Sequence, residues 1–332
     1  MALSENVLAM ADSPLRIERI ETFPVIYPTV MRFKFFEGPS GTGRPAVLVK
    51  ITANDGTVGW GESVPVPRWS YETLESAVST IDRYLTPVLL GRDPYDLKGI
   101  HEAMNREVAN SFSTGAPITK SGIDMALHDL IGKASGLNIA QLWGREPGKE
   151  LVLSWTLNPK TLDELEPLIE KGRERGYENF NVKVAPDTKF DIEMCRTLKR
   201  LVPEGFLWAD ANGGYDLATA LDAAPRLADV GVAVLEQPLP SNRLTGYQEL
   251  KKQGALPIVL DEGVVSPTDL LEFIKLGCCN GAALKPARCG GLVSAAQQVE
   301  ILENEGLLFL GRGVTDLDAC LAAFLIVSAP YG

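Results

Sequence analysis

The sequence predicts an α/β protein: a parallel, TIM-like (β/α) barrel preceded by a small α+β domain. Two observations carry the barrel. Beyond about residue 150, seven short apolar runs (VLSWTL, NFNVKV, FLWADA, VAVLEQ, PIVLDE, GAALKP and LLFLGRG) alternate with helical stretches such as TLDELEPLIEKGRERG and TKFDIEMCRTLKRLV. Near-continuous apolar strands fit parallel strands buried on both faces. Lys183, Asp210, Glu236, Asp261 and Lys285 end or nearly end five of these runs, at separations of 27, 26, 25 and 24 residues. One strand, one helix and two loops take about that length. The five side chains therefore fall at the same point of five successive units, which in a parallel barrel is the carboxyl-terminal mouth. A third observation, strand pairs followed by helices before residue 145, gives the α+β domain.

Within that domain, LRIERIETFPVIY alternates roughly with period two. RPAVLVKITANDGTVGWGES reads as two strands joined at Asn54-Asp55-Gly56, a turn-forming sequence. The glycine- and aromatic-rich MRFKFFEGPSGTG between these runs reads as a mobile loop. YETLESAVSTIDRYLTPVLLG and SGIDMALHDLIGKASG space their apolar residues by three and four, so residues 71–145 read as helical. The expected organisation is a flexible leader over 1–14, the α+β domain over 15–145 and the barrel over 146–332. Seven strands and a seventh helix, DACLAAFLIVSA, precede Gly332. The last barrel strand is not seen, and an open seven-stranded barrel would expose a long edge. The natural chain is therefore expected to continue.

Composition narrows the function. The net charge of −11 argues against nucleic acid and anionic membrane surfaces as partners. No apolar run reaches the roughly 18 residues of a membrane helix, and the N-terminus lacks a signal-peptide pattern. Five cysteines (Cys195, Cys278, Cys279, Cys289 and Cys320) form no CxxC pair and read as reduced thiols of a cytoplasmic protein. The two histidines, His101 and His128, both precede the barrel. That excludes a histidine base in the mouth, Ser-His-Asp chemistry on barrel loops and a HExxH zinc site.

Asp210, Glu236 and Asp261 offer an all-oxygen site. Three converging carboxylates repel one another unless a cation sits among them, and hard ligands without His or Cys suit Mg²⁺, or Mn²⁺ in its place. About half of an octahedral shell would stay open for water and a substrate carboxylate. Lys183 and Lys285, four strands apart in an eight-stranded ring, would face each other across this ion. An amine desolvated beside a cation titrates lower than in water, so its neutral form can act as a base. A metal meanwhile stabilises the enediolate formed when a proton leaves the carbon next to a carboxylate.

With those residues in place, the chain resembles the enolase superfamily in its muconate-lactonizing-enzyme subgroup. GTVGWGES at 56–63 resembles the hairpin of the capping domain, and SGIDMALHDLIGKASGLNIAQLWG at 121–144 the helix and loop that join cap to barrel. WADANGGYD, LEQPLP, LDEG and LKPARCGGL follow in the family's order. The resemblance covers nearly the whole chain and implies a (β/α)7β-type barrel with an α+β capping domain. It implies Asp210, Glu236 and Asp261 as metal ligands, Lys183 and Lys285 as the acid/base pair, and Asn212 and Glu262 as groups that orient them. It also implies a small-molecule carboxylate substrate and a homo-oligomer.

One position departs from the family. Its second barrel strand usually reads Lys-x-Lys, and here it reads Asn181-Val182-Lys183. Asn181 can hydrogen-bond but carries no charge. Lys183 would then act as a weaker base or as a cation steadying the intermediate. After the seventh strand, Asp316 or Asp318 can fill the place of an acid that touches substrate or a lysine, or Asp316 can cap the last helix. The loop around Arg32–Gly43 and the segment VPRWSYE, with Trp69 and Tyr71, either close over the mouth or simply pack between cap and barrel. The expected activity is Mg²⁺-dependent abstraction of the α-proton of a carboxylate, as an isomerase (racemase, epimerase or cycloisomerase). The alternatives are a lyase (dehydratase) using one lysine, or a non-catalytic relative that binds a small acid.

Overall fold

The computed structural model describes residues 3, 4, 7, 15–28, 37, 38, 41–144 and 153–311. The first sheet has a largely buried central strand and a more exposed first strand. Strand β1 (Ile17–Tyr27) pairs antiparallel with β4 (Arg44–Ala53), which pairs antiparallel with β5 (Val58–Ser63), giving the order β1-β4-β5. Glu37–Gly38 (β2) and Gly41–Thr42 (β3) form a separate two-stranded ribbon. The β4–β5 hairpin turns where the sequence places it: Gly56 has φ +88, and the Asp55 carboxylate accepts the Thr57 N–H at 2.8 Å.

Helices then cover one face of the sheet. α1 (Leu74–Thr80) runs through a π-helical turn, Ile81–Leu85, into α2 (Thr86–Leu89), and is followed by α3 (Leu97–Glu107), α4 (Pro117–Ser135) and α5 (Ile139–Leu142). α1 starts at a reciprocal capping box between Thr73 and Ser76. α4 is buried along most of its length and packs on β4 and β5. The contact is close because glycines line it: a Cβ on Gly61 would lie 2.1 Å from the Gly122 carbonyl oxygen. Of the first fourteen residues, Leu3 and Val7 are buried, and the Ser4 N–H donates to the Leu142 carbonyl at 2.8 Å.

The rest of the described chain is the predicted α/β array. Strands β6 (Ser154–Leu157), β7 (Asn179–Lys183), β8 (Leu207–Asp210), β9 (Val234–Glu236), β10 (Ile258–Leu260), β11 (Gly281–Leu284) and β12 (Leu308–Gly311) form one parallel sheet in sequence order. Helices α6 (Leu165–Arg173), α7 (Thr188–Leu201), α8 (Leu217–Asp229), α9 (Leu244–Gln253), α10 (Pro267–Lys275) and α11 (Leu292–Asn304) connect them. Each crossover returns to the next parallel strand, so the sheet curls. Among the described residues it has seven strands, with β6 and β12 at its edges.

Two apolar cores result. The larger runs between the sheet and its helices and continues under the cap. The smaller, Trp208, Val234, Val259 and Ala283 with Leu310 against them, fills the concave side of the curled sheet. Side chains two apart on a strand share a face. The plug therefore forms the floor beneath residues 210, 236, 261 and 285. Cysteines 195, 278, 279 and 289 are buried free thiols, and Cys320 lies outside the described residues.

Candidate metal and catalytic centre

Above that floor the predicted constellation assembles. Asp210, Glu236 and Asp261 are completely buried, and one oxygen from each lies within 4.8 Å of the others. The register explains the convergence, since Lys183 pairs with Asp210 across β7–β8 and Asp210 with Glu236 across β8–β9. Lys183 donates to Asp210 Oδ2 at 2.5 Å, and Lys285 donates to Asp261 Oδ2. Both lysines are buried. In strand order the amines come first and last, with the three acids between them.

A further layer fixes these groups. Trp208 Nε1 donates to Glu236 Oε2 at 2.8 Å. The Asn212 N–H donates to Asp210 Oδ1 at 2.9 Å, and the Asn212 amide to Glu262 Oε1 at 3.0 Å. Asn212 adopts a left-handed conformation (φ 46), which Asn tolerates better than most residues, and this turns its amide back over the strand end. Trp69, from the cap, donates Nε1 to Glu262 Oε1 at 2.6 Å and lays its ring 4.8 Å from Lys285 Nζ. Burial pushes the Glu262 carboxyl above the usual range, the Asp261 charge adds to this, and Arg288 and Lys285 pull against it.

Arg288 was not picked out in the sequence. Its Nε lies 3.4 Å from Asp261 Oδ1, its guanidinium stacks 4.5 Å from the Trp69 ring, and Nη1 donates to the Trp69 carbonyl at 3.2 Å. Its place in LKPARCGG, one turn past Lys285, was the available signal. Trp208 was missed as well, although it lies two residues before Asp210 and so on the same face.

The remaining predicted residues divide. Asn181 sits one step below Lys183, where its Oδ1 accepts the hydroxyls of Thr156 at 2.8 Å and Ser154 at 3.4 Å. Tyr71 is 63% exposed, lines the same cavity as Trp69, Glu262 and Arg288, and donates its hydroxyl to the Thr114 carbonyl at 3.2 Å. Asp316 and Asp318 lie outside the described residues, as does most of the Arg32–Gly43 loop. Neither histidine enters the mouth. Both meet Asp124 at the seam between cap and barrel, His101 Nε2 at 2.7 Å from Oδ1 and His128 Nδ1 at 3.4 Å from Oδ2. Asp124 Oδ2 also accepts the Leu292 N–H at 2.6 Å. The Ser121 hydroxyl donates to the Ala287 carbonyl at 3.0 Å, so α4 grips the loop that carries Lys285.

Comparison with known proteins follows this division of the chain. Residues 36–144 match the family described as the mandelate racemase / muconate lactonizing enzyme N-terminal domain. Residues 164–330 match the enolase C-terminal domain-like family. Muconate cycloisomerase 1 of Rhodococcus opacus is 32% identical over 301 residues, covering 88% of this chain and 78% of that protein. The chain belongs to the enolase superfamily, in its muconate-lactonizing subgroup. N-succinyl-L-Arg/Lys racemase of Bacillus cereus is 26% identical over 299 residues, 88% of this chain and 78% of that protein. The solved muconate lactonizing enzyme of Pseudomonas fluorescens, complexed with muconolactone, superposes with a TM-score of 0.87 at 26% identity, covering 95% of this chain and 85% of that one. These relatives are enzymes of the superfamily, and so is this chain.

The donor set fits a divalent metal of this superfamily. Asp210, Glu236 and Asp261 each present a hard oxygen within 4.8 Å of the others, a set that could hold one ion. The two described histidines are committed to Asp124. No helix among the described residues is long and apolar enough to cross a membrane.

Proposed function

We propose that this protein is a Mg²⁺-dependent isomerase that removes the α-proton of a small carboxylate substrate and returns a proton to the resulting intermediate. The observation that carries this is the order of side chains around the mouth: an amine, three carboxylates, an amine. Asp210, Glu236 and Asp261 would hold the ion. A divalent cation bound there supplies positive charge to the substrate carboxylate as the α-carbon loses its proton.

The chain's own residues do the rest. Lys285 reaches the centre from β11 and Lys183 from β7, so a substrate between them meets an Nζ on either side. A neutral amine on one side accepts the α-proton, and the ammonium on the other side donates one. Trp69 and Arg288 cover Lys285 and keep water from it. Glu262, held by Asn212 and Trp69, sets the approach of the cap to β10.

A second reading has its own observation. Asn181 stands, uncharged and tied to Thr156 and Ser154, where a lysine would have flanked Lys183. If Lys183 serves only as a fixed cation beside Asp210, one base remains, and one base suffices for a syn elimination. Proton exchange in D₂O separates the two. A panel of N-acyl amino acids, dipeptides, muconates and hydroxy acids is incubated with enzyme and Mg²⁺, and α-deuterium is followed by NMR. Exchange from both stereoisomers of one substrate supports the isomerase. Exchange from one stereoisomer only, with loss of water, supports the lyase. No exchange from any member with Mg²⁺ present sinks both.

A further inference from the structure

Gln237 follows the central acid of the cluster, is completely buried and has φ +40. A left-handed conformation in a residue other than glycine or asparagine costs free energy and persists where the surroundings enforce it. Here the strained turn aims both ends of the residue at the neighbouring strand ends. Its backbone N–H donates to the Val259 carbonyl at 2.8 Å, and its backbone carbonyl accepts the Gly213 N–H at 2.7 Å. The first bond reaches β10. The second reaches the turn after Asp210.

The side chain completes the link. Oε1 accepts the Asp261 N–H at 2.8 Å and the Gly263 N–H at 3.3 Å, the amides on either side of Glu262. Nε2 donates to the Leu239 carbonyl at 2.9 Å and to the Tyr247 hydroxyl. Tyr247 in turn donates to the Leu239 carbonyl and stands edge-on to Phe273, with ring centroids 6.2 Å apart. Burial holds that phenol far above its usual range, so it keeps its proton and its role as donor. The amide thus uses both donors and both acceptor positions. Gln237 is bonded to Glu236 through the chain, to the Asp210 turn through its carbonyl, and to the Asp261 loop through its side chain.

We infer that Gln237 is the positioning residue of the metal centre, setting the distances among Asp210, Glu236 and Asp261 and so the size of ion they accept. The inference rests on the reading of that triad as a divalent-metal site. It concerns spacing rather than ligation, since Gln237 offers the ion no atom. With the link cut, the Asp261 and Gly263 amides lose their acceptor inside a buried loop, and that loop shifts to find another. A small ion demands near-ideal octahedral geometry, whereas a larger one tolerates irregular spacing. Loosening the triangle should therefore cost Mg²⁺ more than Ca²⁺.

The test is metal binding by the whole chain, read by calorimetry. Gln237→Met removes all four side-chain bonds at nearly constant volume. Mg²⁺ affinity is expected to fall about 10- to 100-fold, as for loss of other groups that orient metal ligands. The ratio of Ca²⁺ to Mg²⁺ affinity is expected to rise several-fold. Gln237→Glu, which keeps an acceptor for both amides, is expected to recover a ratio close to that of the unaltered chain. A general loss of stability would not move this ratio, and Leu250→Ala, a core change outside the loops, serves as that control. Equal Mg²⁺ affinity and equal ratio in Gln237→Met overturn the inference while leaving the metal site standing. Failure of the unaltered chain to bind Mg²⁺ overturns the site itself and the inference with it. Should Gln237→Met not fold, hydrogen exchange on the unaltered chain decides: the Asp261 and Gly263 amides should be protected, and exchange at the rate of exposed loops sinks the proposal.

Discussion

At the scale of single residues, the proposed chemistry depends on Lys285. Its ammonium lies on Asp261 and under the Trp69 ring, and it is almost fully shielded from water. In the proposed mechanism this amine exchanges its proton with a substrate in the mouth. Lys285→Met keeps the stem that packs against the plug and removes the proton carrier. Turnover of any substrate found by deuterium exchange is expected to fall about 10²- to 10⁴-fold, the usual range for loss of a general acid or base. The circular dichroism spectrum should not change. Turnover within a few-fold of the unaltered enzyme would remove Lys285 from the mechanism. The residues that set this environment differ in how plainly they show in the sequence. Asp210, Glu236, Asp261 and both lysines stand out because strand ends recur at a near-constant interval. Arg288 and Gln237 do not, because their roles depend on where a loop turns back, and the φ of +40 at Gln237 leaves no mark on residue order.

At the scale of elements, the seven strands of the sheet were legible because apolar runs buried on both faces contrast with the amphipathic helices between them. The β4–β5 hairpin was legible through its Asn-Asp-Gly turn. The role of α4 was hidden. It is buried almost all round, polar residues included, so its pattern shows burial without showing that Asp124 and Ser121 hold the loop after β11. That contact carries a pH dependence. Burial of His128 works to lower its pKa, but the charge and hydrogen bonds of Asp124 outweigh burial and raise it above the ordinary 6.5. The folded chain therefore binds this proton more tightly than the unfolded chain. The resulting stability is fully present below pH 6.5 and is lost as pH rises through the folded value. Asp124, which burial would raise, is held well below its usual value by His128 and His101, so it stays charged throughout. Lys120 acts in the opposite sense at higher pH, because burial lowers it to about 8 and folding then favours its neutral form. Between pH 6.5 and about 8 the Lys120 contribution does not yet oppose that of His128, and the raised carboxyls of Glu72 and Glu262 act in the same sense as His128. Urea midpoints are expected to fall across that range, and His128→Gln should flatten the profile. A midpoint that rises with pH in the unaltered chain would contradict the pairing.

At the scale of the whole molecule, the centre is where cap and barrel depend on each other. Three buried carboxylates, Asp210, Glu236 and Asp261, and the half-buried Glu262 meet three cationic side chains, Lys183, Lys285 and Arg288. Buried charge that is incompletely compensated destabilises a fold. A divalent ion held by the acids, as proposed, would supply the missing compensation, and the folded chain alone gathers the ligands. Binding must then raise stability by linkage, by about 2.7 kcal/mol when free Mg²⁺ exceeds its dissociation constant a hundredfold. With an unfolding entropy of about 2.1 cal/mol/K per residue, a chain of 332 residues gains roughly 1.5 °C per kcal/mol, so the melting temperature should rise about 4 °C over that in EDTA. The shift should extend beyond the barrel. Trp69 and Arg288 tie the cap to Glu262 and Asp261, and Asp124 ties α4 to α11. Tryptophan fluorescence, to which Trp69 and Trp208 at the centre contribute beside Trp60, Trp143 and Trp155, and far-ultraviolet circular dichroism, which reports every helix, should therefore move together. Ionic strength is matched with NaCl, so that screening of surface charge does not imitate the effect. Two transitions, with only one responding to Mg²⁺, would mean that the seam does not couple the two halves. No response in either would mean that the three acids do not hold the ion.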